Sequence, residues 1–357
     1  MTRGSETGAR AGSAPTPVPA FPPARERVER FARSLAPPLR EAAVEALTND
    51  ASDRQYFRLR PQAGVSAVVC AHAGPIDVDT LPFVNVAHLL TLMALPVPAV
   101  LGHDGALGLL LLEDLGDVTL QAHLASAPGE RLGWYEAAVD LIVRLQAQGQ
   151  ALAAPAFVPY GLAFDLEKLV WELDFFATHF LAGLRGVAPG AAHAASLRQE
   201  FERLSALLAD EPRVLCHRDF HSRNLMVHQG RLCVIDFQDA RLGPDTYDLV
   251  SLLRDSYVDV PEAEQETLIA RFRAARATRP GAVVESAEAF GQRFLRMALQ
   301  RNLKALGTFG FQASVRGNPA YLAHVPRTLA SVRSVLVNLD GFDRLGRLLR
   351  DTLEELR

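Results

Sequence analysis

The chain has 357 residues, 49% of them hydrophobic and 22% charged, and a formal net charge of −4 from 37 Lys plus Arg against 41 Asp plus Glu. That balance supplies no basic field for nucleic acid or an anionic membrane face, and the length suits one large or two modest domains acting on small molecules. Its three cysteines, Cys70, Cys216 and Cys233, lie in apolar surroundings at no metal-like spacing; buried thiols in a reducing cytoplasm are expected, not disulfides or zinc.

Residues 1–25 are rich in Gly, Ala and Pro and lack the apolar run of a secretory signal, so a disordered tail is expected. Arg25 to Ala36 repeats apolar residues at helical spacing and stops at Pro37-Pro38. Next, Tyr56 and Arg58 alternate with Phe57 and Leu59, and Val65 to Cys70 is short and β-branched; two antiparallel strands joined near Gly64 follow. Leu81 to Leu95 has helical period, Val97 to Leu101 reads as extended, and Leu107 to Leu112 as a buried strand ending in EDLGD. No stretch reaches the roughly 18 apolar residues of a membrane span.

From Trp134 onward the pattern is helical: Trp134 to Gln148, Leu166 to Leu184, Ala195 to Leu208, Ala263 to Ala275, Ala287 to Leu306 and Pro326 to Leu339. One exception interrupts it. Leu225 to His228 and Arg231 to Ile235 are apolar runs separated by Gln229-Gly230, a two-residue connection suited to a tight hairpin. No long period recurs. The expected class is α+β, with a small β-rich part over residues 26–115, a hinge near Glu113 to Gly116, and a larger helical part over residues 116–357 that carries the hairpin.

The hairpin organises candidate chemistry. Asp219 precedes it, Asn224 opens its first strand, and Asp236 follows its second, so a two-residue turn brings Asn224 and Asp236 together. Their oxygens are hard ligands suited to Mg2+, which shares itself with phosphates. Asp219, one loop away, is left to accept a proton or orient a hydroxyl. This is the pattern of phosphoryl transfer.

The segment His217-Arg218-Asp219 followed by Asn224 resembles the kinase H-R-D-x-x-x-x-N loop, and Ile235-Asp236-Phe237 resembles its D-F-G metal site, with Gln238 in the Gly position. Together with Gly243 to Leu249 (GPDTYDL), these residues are similar to the aminoglycoside phosphotransferase branch of the kinase fold. Within it, NDASDRQYFR from Asn49, LLLEDLGD from Leu110, HRDFHSRNLMV from His217, VIDFQDARLGPDTYDLVSLL from Val234 and RNLKALGTFGF from Arg301 resemble the anomeric cell-wall amino-sugar kinases, from about Thr48 to about Leu339. Those enzymes phosphorylate the C1 hydroxyl of N-acetylmuramate and N-acetylglucosamine in peptidoglycan recycling.

The resemblance implies a protein-kinase-like two-lobed fold, ATP and Mg2+ as cofactors, a small-molecule sugar as partner, and a cytoplasmic enzyme. It implies Asp219 as catalytic base, Asn224 and Asp236 as Mg2+ ligands, His217 as a strut of the loop, and Asp248 bracing the loop backbone. Adenine is expected at the backbone of Glu113 to Leu115, with Ser52 and Arg54 in the phosphate-covering turn. The protein-kinase Lys on the third strand and Glu on the next helix are both missing: the strand reads SAVVCA from Ser66, and Leu81 to Leu95 has no acid. Arg54 or Arg58, and more remotely Lys304, are the candidates for that role.

On the acceptor side, the helix from Leu166 offers Glu172, and Asp165 just before it, for sugar hydroxyls; His221 either meets the sugar or holds the loop. Plainer readings stand beside these: Asp and Asn favour turns, Arg54 suits a solvated strand edge, and Cys216 and Cys233 suit the core. A kinase of another hydroxyl acceptor, an aminoglycoside or choline, would call for clustered acids or aromatic faces, which the helical part does not show. A nucleotide-binding pseudokinase is motivated by the missing Lys and opposed by the intact Asp219, Asn224 and Asp236.

Overall fold

The computed structural model describes residues 21–47, 54–278 and 285–357. Ser52 and residues 1–20 of the expected tail lie outside them. Helix α1 (Ala24–Ser34) begins inside the stretch that composition assigns to the tail. It is held there by Arg27, only 4% exposed, whose guanidinium donates to the carbonyls of Pro22, Leu107 and His72 and lies 4.3 Å from the Phe21 ring centre.

A strand without an alternating signal follows, β1 (Ala43–Ala46), built of two alanines, Val44 and Glu45. It pairs antiparallel with β2 (Gln55–Arg60), Ala43 opposite Arg60, and β2 pairs with β3 (Ala67–Ala71), Gln55 opposite Ala71. Gly64, with φ +99°, takes the left-handed backbone between them. Helix α2 (Pro82–Leu92), with proline in its first turn, β4 (Val100–Asp104) and β5 (Leu109–Glu113) complete a five-stranded sheet in the order β1-β2-β3-β5-β4. Val28 and Phe31 of α1 pack with Phe57, Leu59, Val69, Leu109 and Leu111. Burying each such side chain contributes about 1.5–3 kcal/mol. Arg58, which alternates with Phe57 and Leu59, is 5% exposed, so β2 is covered on both faces at its centre.

Contacts group the chain into two compact units, Met1–Ile76 with Gly102–Leu112, and Asp77–Leu101 with Glu113–Arg357. Helix α2 and the segment after it join the second unit through specific bonds: Asn85 Nδ2 donates to Ala156 O, Phe83 packs 4.8 Å from Phe237, and Val234 N donates to Pro96 O.

The second unit continues with α3 (Leu120–Ser126), α4 (Arg131–Ala151), α5 (Leu166–Phe176), a π-helix (Ala177–Leu184) and α6 (Ala191–Ala209). Strand β6 (Arg213–Cys216), the hairpin β7 (Leu225–His228) with β8 (Arg231–Val234), and β9 (Arg241–Pro244) come next. Helices α7 (Tyr247–Leu253), α8 (Glu262–Ala277), α9 (Ala287–Ser314), α10 (Val325–Asn338) and α11 (Asp343–Thr352) end the chain.

Two departures from the sequence reading shape the site. A second ladder, β6 with β9, lies beside the expected hairpin; its strands are four residues each and β9 contains Gly-Pro, which hides it from pattern reading. The expected single helix from Leu166 widens into a π-helix at Ala177, where α9 comes close. A Cβ on Gly310 would stand 2.3 Å from the His179 carbonyl, and one on Gly307 would stand 2.8 Å from Phe176 Cα. Only glycine permits that approach, and the approach sets α9 against α5. Among the described residues no helix is long and apolar enough to cross a membrane.

Candidate active site

The hairpin turn takes positive φ at both central residues, Gln229 (+49°) and Gly230 (+74°), as a type I′ connection requires. In the resulting register Leu225 faces Val234, and the flanking residues meet: Asn224 Nδ2 lies 3.4 Å from Asp236 Oδ2 and donates to the Asp219 carbonyl at 2.9 Å. Asp236 is exposed, in left-handed backbone at φ +63°, and its Oδ1 accepts from Gln238 Nε2 at 2.7 Å.

The loop before the hairpin hangs from β6. Asp248, fully buried near the start of α7, accepts from the His217 N–H at 2.7 Å and the Arg218 N–H at 3.0 Å. Burial pushes its carboxyl above the usual range, against the pull of His217 and these two N–H groups. The His217 Nε2 sits 3.0 Å from the Ile235 carbonyl, tying the loop to the end of the hairpin. Between them Arg218 adopts φ +88°, a conformation costing roughly 1–3 kcal/mol and kept only where its surroundings enforce it. Those surroundings are Asp248, Asp239 at 2.9 Å from the guanidinium, and Arg301, whose Nη1 donates to the Arg218 carbonyl at 2.8 Å.

Asp219 stands at the centre of a ring of cations. Lys304 Nζ is 3.3 Å from its Oδ1, Arg301 Nη2 is 4.0 Å from the same atom, and Arg218 Nε is 3.8 Å from Oδ2. Burial alone pushes the carboxyl up, but Lys304, Arg218 and Arg301 outweigh it and hold the group well below the usual carboxylate range. The cations thus favour the ionised form of Asp219, a hydrogen-bond acceptor of low basicity for a nearby hydroxyl.

Among the described residues no group of three or more His, Cys, Asp or Glu side chains stands ready for a metal. Asn224 and Asp236 instead form an open, two-residue site in which the Asn224 Nδ2 faces Asp236 Oδ2; with the amide turned to present its Oδ1, the pair would suit a Mg2+ that takes its other ligands from water and phosphate. At the start of the second unit's long segment, Glu113 N donates to Ala99 O, and the Leu115 carbonyl lies 3.1 Å from His228 Nδ1. Leu115 packs on Met226, Cys233 and Ile235, and its N–H has no protein acceptor among the described residues, which suits a ligand acceptor such as an adenine nitrogen. Arg54 is close enough to Cys70 and His72 to bias both groups.

The acceptor-side expectations change. Asp165 accepts from the Lys168 N–H at 2.8 Å and caps α5. Glu172 is 1% exposed and accepts from Gln300 at 2.8 Å, so it presents no carboxylate to an acceptor. Its charge instead offsets the cations Lys168, Arg218 and Arg301 from within. The His221 ring meets Tyr257 edge-on at 5.2 Å, its basicity lowered chiefly by burial, and it packs beneath the loop.

A ring cluster expected to be absent is present: Trp171, Phe175 and His179, four residues apart along α5 and the π-helix, with Phe311 of α9 at 5.5 Å from Phe175. Phe311 arrives from more than a hundred residues away, which conceals it in sequence. One of these faces is already taken, since Lys168 Nζ lies 3.8 Å over the Trp171 ring.

Sequence reasoning also passed over Arg301 and Gln238 as site residues. Both lie in stretches that carry the family resemblance, but only geometry shows what they touch.

A model of the phosphotransferase enzyme family matches residues 43–285. The chain is 34% identical over 303 residues to an N-acetylmuramate/N-acetylglucosamine kinase of Pseudomonas aeruginosa, covering 85% of this chain and 86% of the relative. It is 33% identical to a protein of the same name from Neisseria meningitidis, covering 84% and 87%. Among solved structures, a choline/ethanolamine kinase family protein from Mesorhizobium loti shares the fold at a TM-score of 0.58 and 16% identity, covering 92% of this chain and 99% of that one. With its loop, hairpin and cation-ringed carboxylate, the chain belongs to the phosphotransferase enzyme family, is an ATP-dependent phosphotransferase acting on a hydroxyl, and has the N-acetylmuramate/N-acetylglucosamine kinases among its relatives.

Proposed function

We propose that this chain is an amino-sugar kinase that transfers the γ-phosphoryl of ATP to the anomeric C1 hydroxyl of N-acetylmuramate, N-acetylglucosamine or both, as a step of peptidoglycan recycling. The carrying observation is identity of 33–34% to relatives of that name over about 85% of the chain, with Asp219, Asn224 and Asp236 all in place. Mg2+ held between Asn224, Asp236 and the phosphates would neutralise charge during transfer. Asp219 addresses the acceptor hydroxyl, Asp248 and His217 hold the loop that carries it, and the Leu115 N–H receives the adenine. Ser52 and Arg54 cover the phosphates in this reading, and Ser52 lies outside the described residues.

Electrostatics favours this acceptor over the alternatives. An anomeric hydroxyl is acidified by the ring oxygen, so a carboxylate of low basicity suffices for its proton. The cations Lys168, Lys304, Arg218 and Arg301 repel a polycationic aminoglycoside or a choline, and the Trp171 face is occupied by Lys168. The test is to incubate the protein with Mg-ATP and each of N-acetylmuramate, N-acetylglucosamine, an aminoglycoside and choline, following ADP release and locating the new phosphate by phosphorus NMR. Sugar 1-phosphate is expected; phosphate at any other hydroxyl refutes the anomeric assignment, and ATP binding without transfer to anything restores the pseudokinase reading.

A further inference from the structure

The site as described lacks the lysine that accompanies phosphates in protein kinases: β3 has none, and position 221 of the loop is a histidine. Of the chain's 37 Lys plus Arg residues only two are lysines, Lys168 and Lys304. Arginine thus serves nearly every surface charge and helix pairing in this protein. The two lysines lie within one electrostatic neighbourhood, since Lys168 feels Lys304, Arg218 and Arg241. A compact ammonium differs from a guanidinium in being a point charge on a flexible stem, able to follow a moving group.

Lys304 is placed for such a role. It projects from the face of α9 that also carries Arg301 and Thr308, and the Gly307 and Gly310 approach fixes that helix against α5. Its side chain is 17% exposed and its only hydrogen bond among the described residues is to Asp219 Oδ1, so two of its three N–H donors remain for a ligand. The other two cations are committed. Arg218 is paired with Asp239, and Arg301 is bonded to the Arg218 carbonyl and stacked 4.6 Å from the Tyr247 ring.

We infer that Lys304 is a catalytic residue, the cation that contacts the γ-phosphoryl as it passes to the hydroxyl addressed by Asp219. This rests on the kinase reading above and extends it. The acceptor oxygen forms its bond to the γ-phosphorus while the bond from that phosphorus to the bridging oxygen of ADP breaks. The hydroxyl proton goes to Asp219, and Lys304 forms no bond but neutralises an equatorial oxygen in flight. The same ammonium then stabilises the product phosphate after transfer, without a lysine on the strand.

The experiment compares wild type, Lys304→Met and Lys304→Arg by two independent readouts. The first is the affinity for ADP with Mg2+ and aluminium fluoride, a planar mimic of the transferring phosphoryl, against the affinity for ADP with Mg2+ alone. Wild type should tighten on adding fluoride. Lys304→Met should bind ADP as wild type does but lose at least about 30-fold of that tightening, and Lys304→Arg should restore little of it. The second is turnover with the best acceptor, in which kcat should fall at least about 100-fold in Lys304→Met with KM for ATP within about threefold. Aminoethylation of Lys304→Cys, which rebuilds an ammonium at nearly the lysine length, should recover both; the three native cysteines are buried and wild type is the control. Equal fluoride tightening in wild type and Lys304→Met, or none in wild type, overturns the inference, as does a loss that aminoethylation of a folded Lys304→Cys fails to recover. Absence of turnover with every sugar, with the fluoride contrast intact, sinks only the acceptor assignment.

Discussion

Two carboxylates of the same unit, Asp219 and Asp245, are each surrounded by arginines, and they do opposite things. Asp245 is fully buried and ion-paired on both oxygens, by Arg293 on Oδ1 and Arg276 on Oδ2; Arg293 also reaches Glu211 at 3.3 Å and Glu285 at 2.7 Å. Its carboxyl is nevertheless pushed upward, because burial outweighs its partners. Asp219, a quarter exposed at 26%, has its cations at 3.3–4.0 Å, none in a paired fork, and is pushed downward. A fully enclosed, ion-paired network gives a ligand no access to the carboxylate, whereas a loose ring with one open side leaves it charged and available. The difference leaves Asp219 open to the chemistry proposed for it and makes Asp245 a part of the packing.

The largest separation should come from Asp219→Asn. Turnover should drop by about 10^3-fold, within the 10^2–10^4 range for removing a proton acceptor, while ADP affinity stays within about threefold. Titration calorimetry and steady-state kinetics check it; normal turnover would dissolve the distinction. The converse is Arg293→Met, which removes the cation that Asp245 and Glu211 share and leaves them Arg276 and Arg296. It should cost about 3–5 kcal/mol in urea unfolding, since breaking a buried ion pair leaves uncompensated charge, with kcat of the remaining folded fraction little changed.

How much of this was visible beforehand depends on sequence distance. Asn224, Asp236 and the Gln229-Gly230 turn are neighbours, and their meeting follows from hairpin geometry alone. The bracing by Asp248 was implied by the resemblance. Arg301, Lys304 and Phe311 come from a helix about eighty residues beyond the loop, and helical periodicity says which residues share a face but not what that face meets. The burial of Glu172 escaped for the same reason: its partner Gln300 is on α9. Strand β1 was silent because alanines give no alternation, and β9 because Gly-Pro reads as a turn.

The two sites should also carry opposite pH signatures. Glu211, beside Asp245, is raised from 4.5 to about 7, chiefly by burial and then by Asp245, with Arg293 and Arg296 opposing. A raised folded value means its contribution is fully present below pH 4.5 and lost as pH rises toward about 7. Asp219, lowered below the ordinary 3.8, contributes above that value and loses it as pH falls. Glu211→Gln should therefore flatten the stability profile between pH 4.5 and about 7, removing a slope of at most about 1.4 kcal/mol per pH unit, and leave the acid limb below pH 4 in place. An unchanged profile between those limits would place the titration elsewhere.

The smallest effect tests how finely the open side is built. Gln238 stands where protein kinases have glycine, and its Nε2 holds Asp236 Oδ1 at 2.7 Å, leaving Oδ2 turned toward Asn224. A glycine there would free the carboxylate to rotate; in the proposed site the glutamine would hold one oxygen and leave the other for the cation. Gln238→Ala should leave folding and ADP-independent properties alone and raise the Mg2+ concentration for half-maximal turnover by about 10-fold, the lower end of what outer-shell partners of a metal ligand contribute. Because the bond orients rather than binds, the loss should be recovered at saturating Mg2+. A fall in kcat that excess Mg2+ does not recover would mean instead that Gln238 touches the phosphates themselves.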